Sequence, residues 1–262
     1  MKKKVLIPVL FSAMALPMVL HQNPIQVKGE FIGEYSKKAD YVAYAKEGNG
    51  RLADEGFVLL KNDGFLPMSG GSSVSVVGKA SINLARGGAG SGSGSISGDV
   101  GRETDLNIQA SLKEAGFEVN PTTDAFYRNN SKSGSGRTNG NSSWSGNSEV
   151  TIGETDIEKV VNEPGLVDSF GEYGDAAIMV IAREGSEGCD VKTCNVHDSQ
   201  KTNSNNKAIS HKHALELSDN EQALFDMLHE HFDHIIMVIN SSNIFECGQF
   251  QDDEKVSGVL WI

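Results

Sequence analysis

The chain has 262 residues, a length that allows one large domain or two small ones. Its 35 acidic and 23 basic residues give a formal net charge of -12, which argues against a nucleic-acid partner because phosphate binding needs a Lys/Arg surface. The 29 glycines concentrate between Gly64 and Gly153, so they indicate loops and not a collagen-like repeat.

The N-terminus has the pattern of a targeting segment. Met1 and three lysines precede an uncharged apolar run over residues 5–20, which contains Pro8 and Pro17 and is short for a membrane span. We therefore predict that residues 1–30 are a signal peptide or an N-terminal membrane anchor. The protein would then be exported, either secreted or held at the outer face of the cytoplasmic membrane. A buried first helix is the alternative interpretation.

Residues 31–262 alternate between helical and extended patterns, which indicates a single α/β domain. Helical spacing is found over residues 40–60, 104–115, 157–170 and 218–231. The first of these ranges ends in an apolar run that predicts a buried, extended segment. Ser218 and Glu221 form a capping-box pattern at the start of the last of these helices. Short apolar runs of strand length occur at 73–77, 117–119, 176–182, 235–239 and 256–262.

The strand-like runs are apolar throughout, as expected for a parallel sheet covered on both faces. The predicted fold is a three-layer α/β sandwich with a mostly parallel sheet flanked by helices, incomplete at its C-terminus. Residues 129–147, almost all Ser, Gly and Asn, predict an exposed low-complexity loop. Because ligands bind beyond the carboxyl ends of parallel strands, the candidate site loops follow Val77, Ala182, Asn240 and Ile262.

A glycine-rich loop at residues 87–94 follows the first of these strands. The loop does not match the G-x-G-x-x-G pattern. Gly78-Lys79 is followed by Ala80 and does not match a P-loop, so no dinucleotide or nucleotide phosphate site is predicted. The loop after the strand at 176–182 carries Arg183, Glu184, Glu187 and Asp190. Glu187, flanked by glycines and near other acids, could have a raised pKa and act as a general acid, although a solvated acidic loop is the alternative.

Three cysteines cannot make a disulfide framework. Cys189 and Cys194 could pair outside the cell. With His197 they also resemble a metal cluster, but the C-x2-C spacing and a second ligand pair are missing, so no zinc site is predicted.

Five separated motifs, in one order, resemble the sandwich domain of glycoside hydrolase family 3. Residues 55–62 with Leu66 and Pro67 resemble its EGxVLLKN...LP entry, and residues 87–92 resemble GGxGSG. Residues 183–190 resemble RxxGEGxD and residues 217–221 resemble LxDNE, while residues 260–262 look like the strand before a PGxxG loop. The match runs from about Tyr41 to Ile262.

The resemblance implies a retaining β-glycosidase, similar to a β-glucosidase, that hydrolyses β-linked glucosides or short oligosaccharides without a metal or organic cofactor. It implies Glu187 as the catalytic acid/base. The implied substrate-binding residues lie in the two motif loops: Arg183, Asp190, Gly88, Gly90 and Ser91.

Two departures from the family pattern bear on this site, since Ser186 replaces a glycine and Val191 a basic residue. The resemblance covers no (β/α)8 barrel, the domain that carries the family's nucleophilic Asp. A barrel domain or partner chain is therefore expected to complete the enzyme, in reversed domain order, and this chain is expected to be a truncated fragment without activity alone. The alternative is a non-catalytic sugar-binding or structural remnant.

Overall fold

A computed structural model describes residues 37–85, 107–136, 152–183, 214–241 and 243–262. The chain divides into two compact units, Met1–Leu52 and Ala53–Ile262. The predicted signal or anchor over residues 1–30 lies outside the described residues. Among the helices that are described, none is both long enough and apolar enough to cross a membrane.

The described part of the chain forms seven α-helices and six strands. The strands are β1 (Val58–Asn62), β2 (Ser73–Val77), β3 (Glu118–Val119), β4 (Ala176–Arg183), β5 (Ile235–Ser241) and β6 (Val256–Trp261). The helices are α1 (Lys38–Gly56), α2 (Ile108–Glu114), α3 (Pro121–Arg128), α4 (Asn130–Ser133), α5 (Ile157–Val161), α6 (Asp219–His231) and α7 (Gly248–Gln251). Short 3-10 turns occur at Lys79–Ser81 and Asp168–Gly171.

The strands form one sheet in the order β1-β6-β5-β4-β2-β3. Strand β1 is antiparallel to β6, and the other neighbouring strands are parallel. The predicted mostly parallel α/β sandwich is therefore confirmed. Strands β2, β4 and β5 end together at what we call the carboxyl edge, at Val77, Arg183 and Ser241. The opposite side, where they begin at Ser73, Ala176 and Ile235, is the amino edge.

The sequence of β4 explains why it lies at the centre of the sheet. All eight of its residues are buried. Because side chains alternate across a strand, Ala177, Met179 and Ile181 join the core beneath α6, whereas Ile178 and Val180 join the core beneath α2. Each face is thus closed by a separate apolar cluster, which confirms the prediction of burial on both faces.

Three sequence predictions are corrected by the structure. Strand β1 is mostly exposed and not buried, because it occupies the end of the sheet beyond β6. The helix predicted over 157–170 ends at Val161, before Pro164 and Gly165, and Gly165 has a φ of +74°. The loop predicted over 129–147 begins with helix α4, in which Ser133 is fully buried.

Candidate functional site

The carboxyl edge brings the ends of three neighbouring strands together. Residue pairing places Ala182 beside Asn240 and Arg183 beside Ser241. The Ala85 N–H donates a 2.5 Å hydrogen bond to Asn240 Oδ1, so the chain after β2 is tied to the end of β5. The segments that hold the two predicted site loops thus begin beside each other, directly after Ala85 and Arg183.

The turn after β2 depends on Gly78. This residue has a φ of +93°, and a Cβ atom built on it would lie 2.4 Å from the Val180 carbonyl oxygen. Any other side chain would therefore clash with the β4 backbone and strain its own. The close approach allows Lys79 to turn into the protein beside the end of β4.

Lys79 is buried, and its two nitrogens donate hydrogen bonds to four other residues. Its backbone N–H donates to both carboxylate oxygens of Glu154, at 3.1 and 2.9 Å. Its ammonium donates to the Tyr127 carbonyl (2.6 Å), Asn130 Oδ1 (2.9 Å) and Ser133 Oγ (2.8 Å). Burial lowers the pKa of Lys79 to about 8, against the opposing effect of the Glu154 charge. Since an ammonium has three donors, this lysine acts as an anchor within the fold.

Arg183, at the end of β4, uses every donor of its guanidinium on this chain. Nη1 and Nη2 donate to Glu221 Oε1 and Oε2 at 2.8 and 2.7 Å. The remaining donations go to the carbonyls of Ala182 (2.9 Å), Ala214 (2.5 Å) and Glu216 (2.9 Å). Arginine carries five N–H donors, and all five therefore have protein acceptors.

The Glu221 carboxylate is also fixed by hydrogen bonds on this chain. Glu221 is the third residue of α6, where Ser218 caps the helix and Glu221 Oε2 accepts a 2.9 Å hydrogen bond from the Ser218 N–H. The predicted capping box is thus confirmed, and its carboxylate also forms the ion pair. The guanidinium carbon of Arg183 lies 4.9 Å from the centre of the Phe245 ring. A cation over an aromatic face adds a further constraint on its orientation.

Two spaces adjoin this network. An enclosed cavity of about 10 Å³, close to the volume that one water molecule needs, is lined by Lys79, Ala80, Asn83, Ile152, Glu154, Ala182 and Glu221. An open groove of about 250 Å³ is lined by Glu216, Leu217, Gln222, Glu246, Gly248 and Gln249. Sites for drug-sized ligands usually measure about 300–1,000 Å³. Both spaces along the described residues are smaller than that.

Most of the predicted site residues lie outside the described ranges. These are Glu187, Asp190, Gly88, Gly90 and Ser91. Their roles stay predictions. Arg183 is described at the carboxyl edge, where acceptors of this chain occupy all its donors, and its contact with substrate stays a prediction. Cys189 and Cys194 are also outside the described residues, whereas Cys247 carries a free thiol whose pKa is raised by burial. Within the described ranges, no cluster of three acidic, His or Cys residues could hold a metal.

The sequence analysis missed Lys79, Glu154 and the second role of Glu221. Lys79 follows a strand and a glycine, a pattern that was considered only as a phosphate loop. The Arg183–Glu221 pair joins residues 38 positions apart, so the capping-box pattern could locate the glutamate without identifying its partner. Nothing local around Glu154 predicts that its carboxylate receives the Lys79 N–H.

Comparison with known proteins gives concordant results. The family model described as the glycosyl hydrolase family 3 C-terminal domain matches residues 57–262. Beta-glucosidase A of Butyrivibrio fibrisolvens is 26% identical over 221 residues, which cover 79% of this chain and 24% of that protein. Two solved structures establish likeness of fold. A beta-glucosidase from Paenibacillus barengoltzii has a TM-score of 0.57 and 21% identity, covering 82% of this chain and 20% of its own. Beta-glucosidase 3B from Thermotoga neapolitana, in complex with glucose, has a TM-score of 0.57 and 23% identity, covering 86% and 28%.

Proposed function

The chain belongs to glycosyl hydrolase family 3 through its C-terminal domain, and from this premise we propose that it supplies the general acid/base of a retaining β-glycosidase. Glu187 is the proposed acid/base, and β-linked glucosides or short oligosaccharides are the proposed substrates. The relatives named as beta-glucosidases support this substrate class. The chain spans about a quarter of the length of its curated relative, so the activity of a whole enzyme is part of the proposal.

One observation carries the proposal: the two segments with family motifs begin beside each other at the carboxyl edge. Ala85 immediately precedes the segment that contains the glycine motif, and it bonds to Asn240 on β5. Arg183, four positions before Glu187, ends the adjacent strand β4. Because both segments start from one edge of a buried parallel sheet, they are well placed to contribute to a single site.

The proposed chemistry needs two carboxyl groups. In a retaining glycosidase one carboxylate attacks the anomeric carbon, while the other group protonates the departing oxygen and later deprotonates water. These two groups lie about 5–5.5 Å apart. At the carboxyl edge, the described carboxylates Glu154 and Glu221 are buried and bonded to Lys79, Thr155, Arg183 and Ser218. Neither of these two carboxylates is free to attack a sugar, so neither is the proposed nucleophile.

We further propose that a (β/α)8 barrel domain or partner chain supplies that nucleophile. The 262-residue chain assayed alone should then show no hydrolysis of aryl β-glucosides above background, because an acid without a nucleophile cannot form the covalent intermediate. Robust turnover by the isolated chain that is abolished by Glu187→Gln would contradict this requirement. Backbone and side-chain contacts with the sugar are proposed for Gly88, Gly90, Ser91 and Asp190, and export is proposed for residues 1–30.

The acid/base assignment is tested in the enzyme formed with its barrel. Glu187→Gln is isosteric, so we expect it to fold and to lose on the order of 10²- to 10⁴-fold in turnover of substrates with poor leaving groups, the usual worth of general acid catalysis. Activated aryl glycosides need less proton donation and should lose less at the glycosylation step. Added azide should restore deglycosylation, because an anionic nucleophile needs no general base.

Neighbouring acids of the same loop provide matched controls for this assignment. Glu184→Gln removes a carboxylate three positions before Glu187 and should leave the dependence on leaving group unchanged. Asp190→Asn should weaken substrate binding without creating azide rescue. If Glu187→Gln leaves turnover unchanged while either control variant abolishes it, the acid/base has been assigned to the wrong carboxylate.

A further inference from the structure

The Arg183 side chain joins the two boundaries of residues 184–213. One boundary is the backbone of Arg183 itself, at the end of β4. At the other boundary, Nε donates to the Ala214 carbonyl at 2.5 Å and Nη2 to the Glu216 carbonyl at 2.9 Å. A single guanidinium therefore fixes where the intervening segment leaves the sheet and where it returns.

The orientation of this guanidinium is determined from two sides. Glu221 binds it through both carboxylate oxygens, and Glu221 is itself fixed by the Ser218 N–H at the start of α6. Phe245, which follows β5, lies against the cation. The planar fork of arginine matches a carboxylate at two points, whereas a lysine ammonium behaves as a point charge and cannot reproduce that geometry.

General stability does not account for such an arrangement. The side chains of Arg183 and Glu221 are only 2% and 1% exposed. Removing two charges from water is costly, and apolar side chains of similar volume are often as stabilising as a buried ion pair. Unlike an apolar contact, the ion pair fixes the orientation of the guanidinium relative to its acceptors, because five hydrogen bonds meet at one rigid group.

We propose that Arg183 and Glu221 are positioning residues for the reaction, which set the geometry of the acid/base by fixing both ends of the segment that contains it. This inference rests on the proposed role of Glu187. The pair acts through backbone placement, since every guanidinium donor of Arg183 is bonded within the chain. Displacement of a reacting group by about 1 Å can cost on the order of 10²-fold in rate, so conservative changes in this pair should be visible in catalysis.

The catalytic test uses Arg183→Lys and Glu221→Gln in the enzyme with its barrel. Both changes keep a polar side chain of similar length, although neither reproduces the two-point ion pair. We expect turnover of poor-leaving-group substrates to fall on the order of 10- to 100-fold and turnover of activated aryl glycosides to fall less than about threefold. A role limited to folding would lower the amount of active enzyme and reduce both rates equally, and that equal loss would overturn the proposal.

Hydrogen–deuterium exchange on the 262-residue chain tests the anchoring independently of catalysis. Arg183→Lys should accelerate exchange in peptides covering residues 214–218 by about tenfold or more, while β2 keeps its protection. Arg128→Lys is the matched control, since it alters an arginine that pairs with Asp124 on α3 at 2.6 Å, away from this pair. Arg128→Lys should change neither the dependence of turnover on leaving group nor the exchange rate at residues 214–218.

The two tests also separate this proposal from the assignment of the acid/base. If Glu187→Gln shows no dependence on leaving group but residues 214–218 exchange faster in Arg183→Lys, the acid/base assignment fails and the anchoring stands. Unchanged exchange at residues 214–218, or an equal increase in β2, would overturn the anchoring itself.

Discussion

At the carboxyl edge of the sheet Lys79, Arg183 and Glu221 are at most 3% exposed, whereas at the amino edge Asp63 is exposed and His234 only half-buried. The amino edge also has a polar cluster, in which His234 Nδ1 lies 2.8 Å from Ser257 Oγ. His234 stacks on Phe65 with ring centres 3.9 Å apart. A hydrogen bond from the Phe65 N–H is the main cause that lowers the pKa of Asp63.

The comparison shows that similar side chains have different roles at the two edges. Water can replace a lost partner at the amino edge, so each interaction there contributes little net free energy. At the carboxyl edge Lys79, Arg183 and Glu221 are almost completely shielded from solvent, and each depends on the partners that the fold provides. We therefore expect disruption to be several times more costly at the carboxyl edge.

The largest effect is expected for Glu221→Ala, which leaves the buried Arg183 charge without its carboxylate. Breaking such a pair from one side should lower the free energy of unfolding by about 3–5 kcal/mol. Urea denaturation measures this loss. The double variant Arg183→Met/Glu221→Met removes both charges and should recover much of the stability. If the double variant is as unstable as Glu221→Ala, an unpaired charge is not the cause.

A pair of glycine substitutions compares the edges through the backbone. Gly78→Ala combines a φ of +93° with a Cβ position 2.4 Å from the Val180 carbonyl oxygen, whereas Gly64, with a φ of +106°, has no atom within 4 Å of its Cβ position. Backbone strain at a positive φ should destabilise each variant by about 1–3 kcal/mol. Gly78→Ala should lose more, because its Cβ atom also clashes with the Val180 carbonyl oxygen. Thermal unfolding should therefore rank Gly78→Ala as the more destabilised, and equal losses would contradict the crowding at the carboxyl edge.

Lys79 should produce an effect that depends on pH. Its pKa in the folded protein is about 8, below the ordinary value of 10.5, so between these pH values the unfolded chain binds more protons than the folded one. The free energy of unfolding should therefore rise as pH increases from about 8 to 10.5. Lys79→Met should remove this contribution to the slope in urea titrations across that range, and an unchanged slope would show that another group is responsible.

Ser257→Ala, at the amino edge, should have the smallest effect. The serine hydroxyl lies 2.8 Å from His234 Nδ1 and also bonds the Asp63 carboxylate. Ser257 itself is buried, but His234 is half-buried and Asp63 is exposed, so water can satisfy both partners. We expect a loss of about 0.5–1.5 kcal/mol in urea denaturation, typical of one hydrogen bond. A loss as large as that of Glu221→Ala would remove the distinction between the edges.

The sequence predicted the elements whose signals are local. The apolar runs within β4 and β5 identified the central strands, and Ser218 with Glu221 identified the start of α6. The break after Val161 also had a local signal in Pro164 and Gly165, which the prediction of a helix over 157–170 overlooked.

Features that depend on distant pairing were not predictable in the same way. Strand β1 has an apolar sequence like that of a buried strand, and only its pairing with β6 places it at the end of the sheet. At the candidate site, the motif predicted Arg183 as a site residue, but its five hydrogen bonds go to acceptors in several parts of the chain.

The antiparallel pairing of β1 with β6 has a consequence for folding during synthesis. The paired residues Val58 and Trp261 are separated by roughly 200 residues, so β1 leaves the ribosome long before its partner exists. At translation rates of about 5–20 residues per second, β6 is synthesised roughly 10–40 s after β1, and the apolar residues of β1 are unpaired during this interval. Strands β2, β4 and β5 can assemble in the meantime. The nascent chain therefore passes through a period in which β1 is open to chaperones and to pairing with other nascent chains.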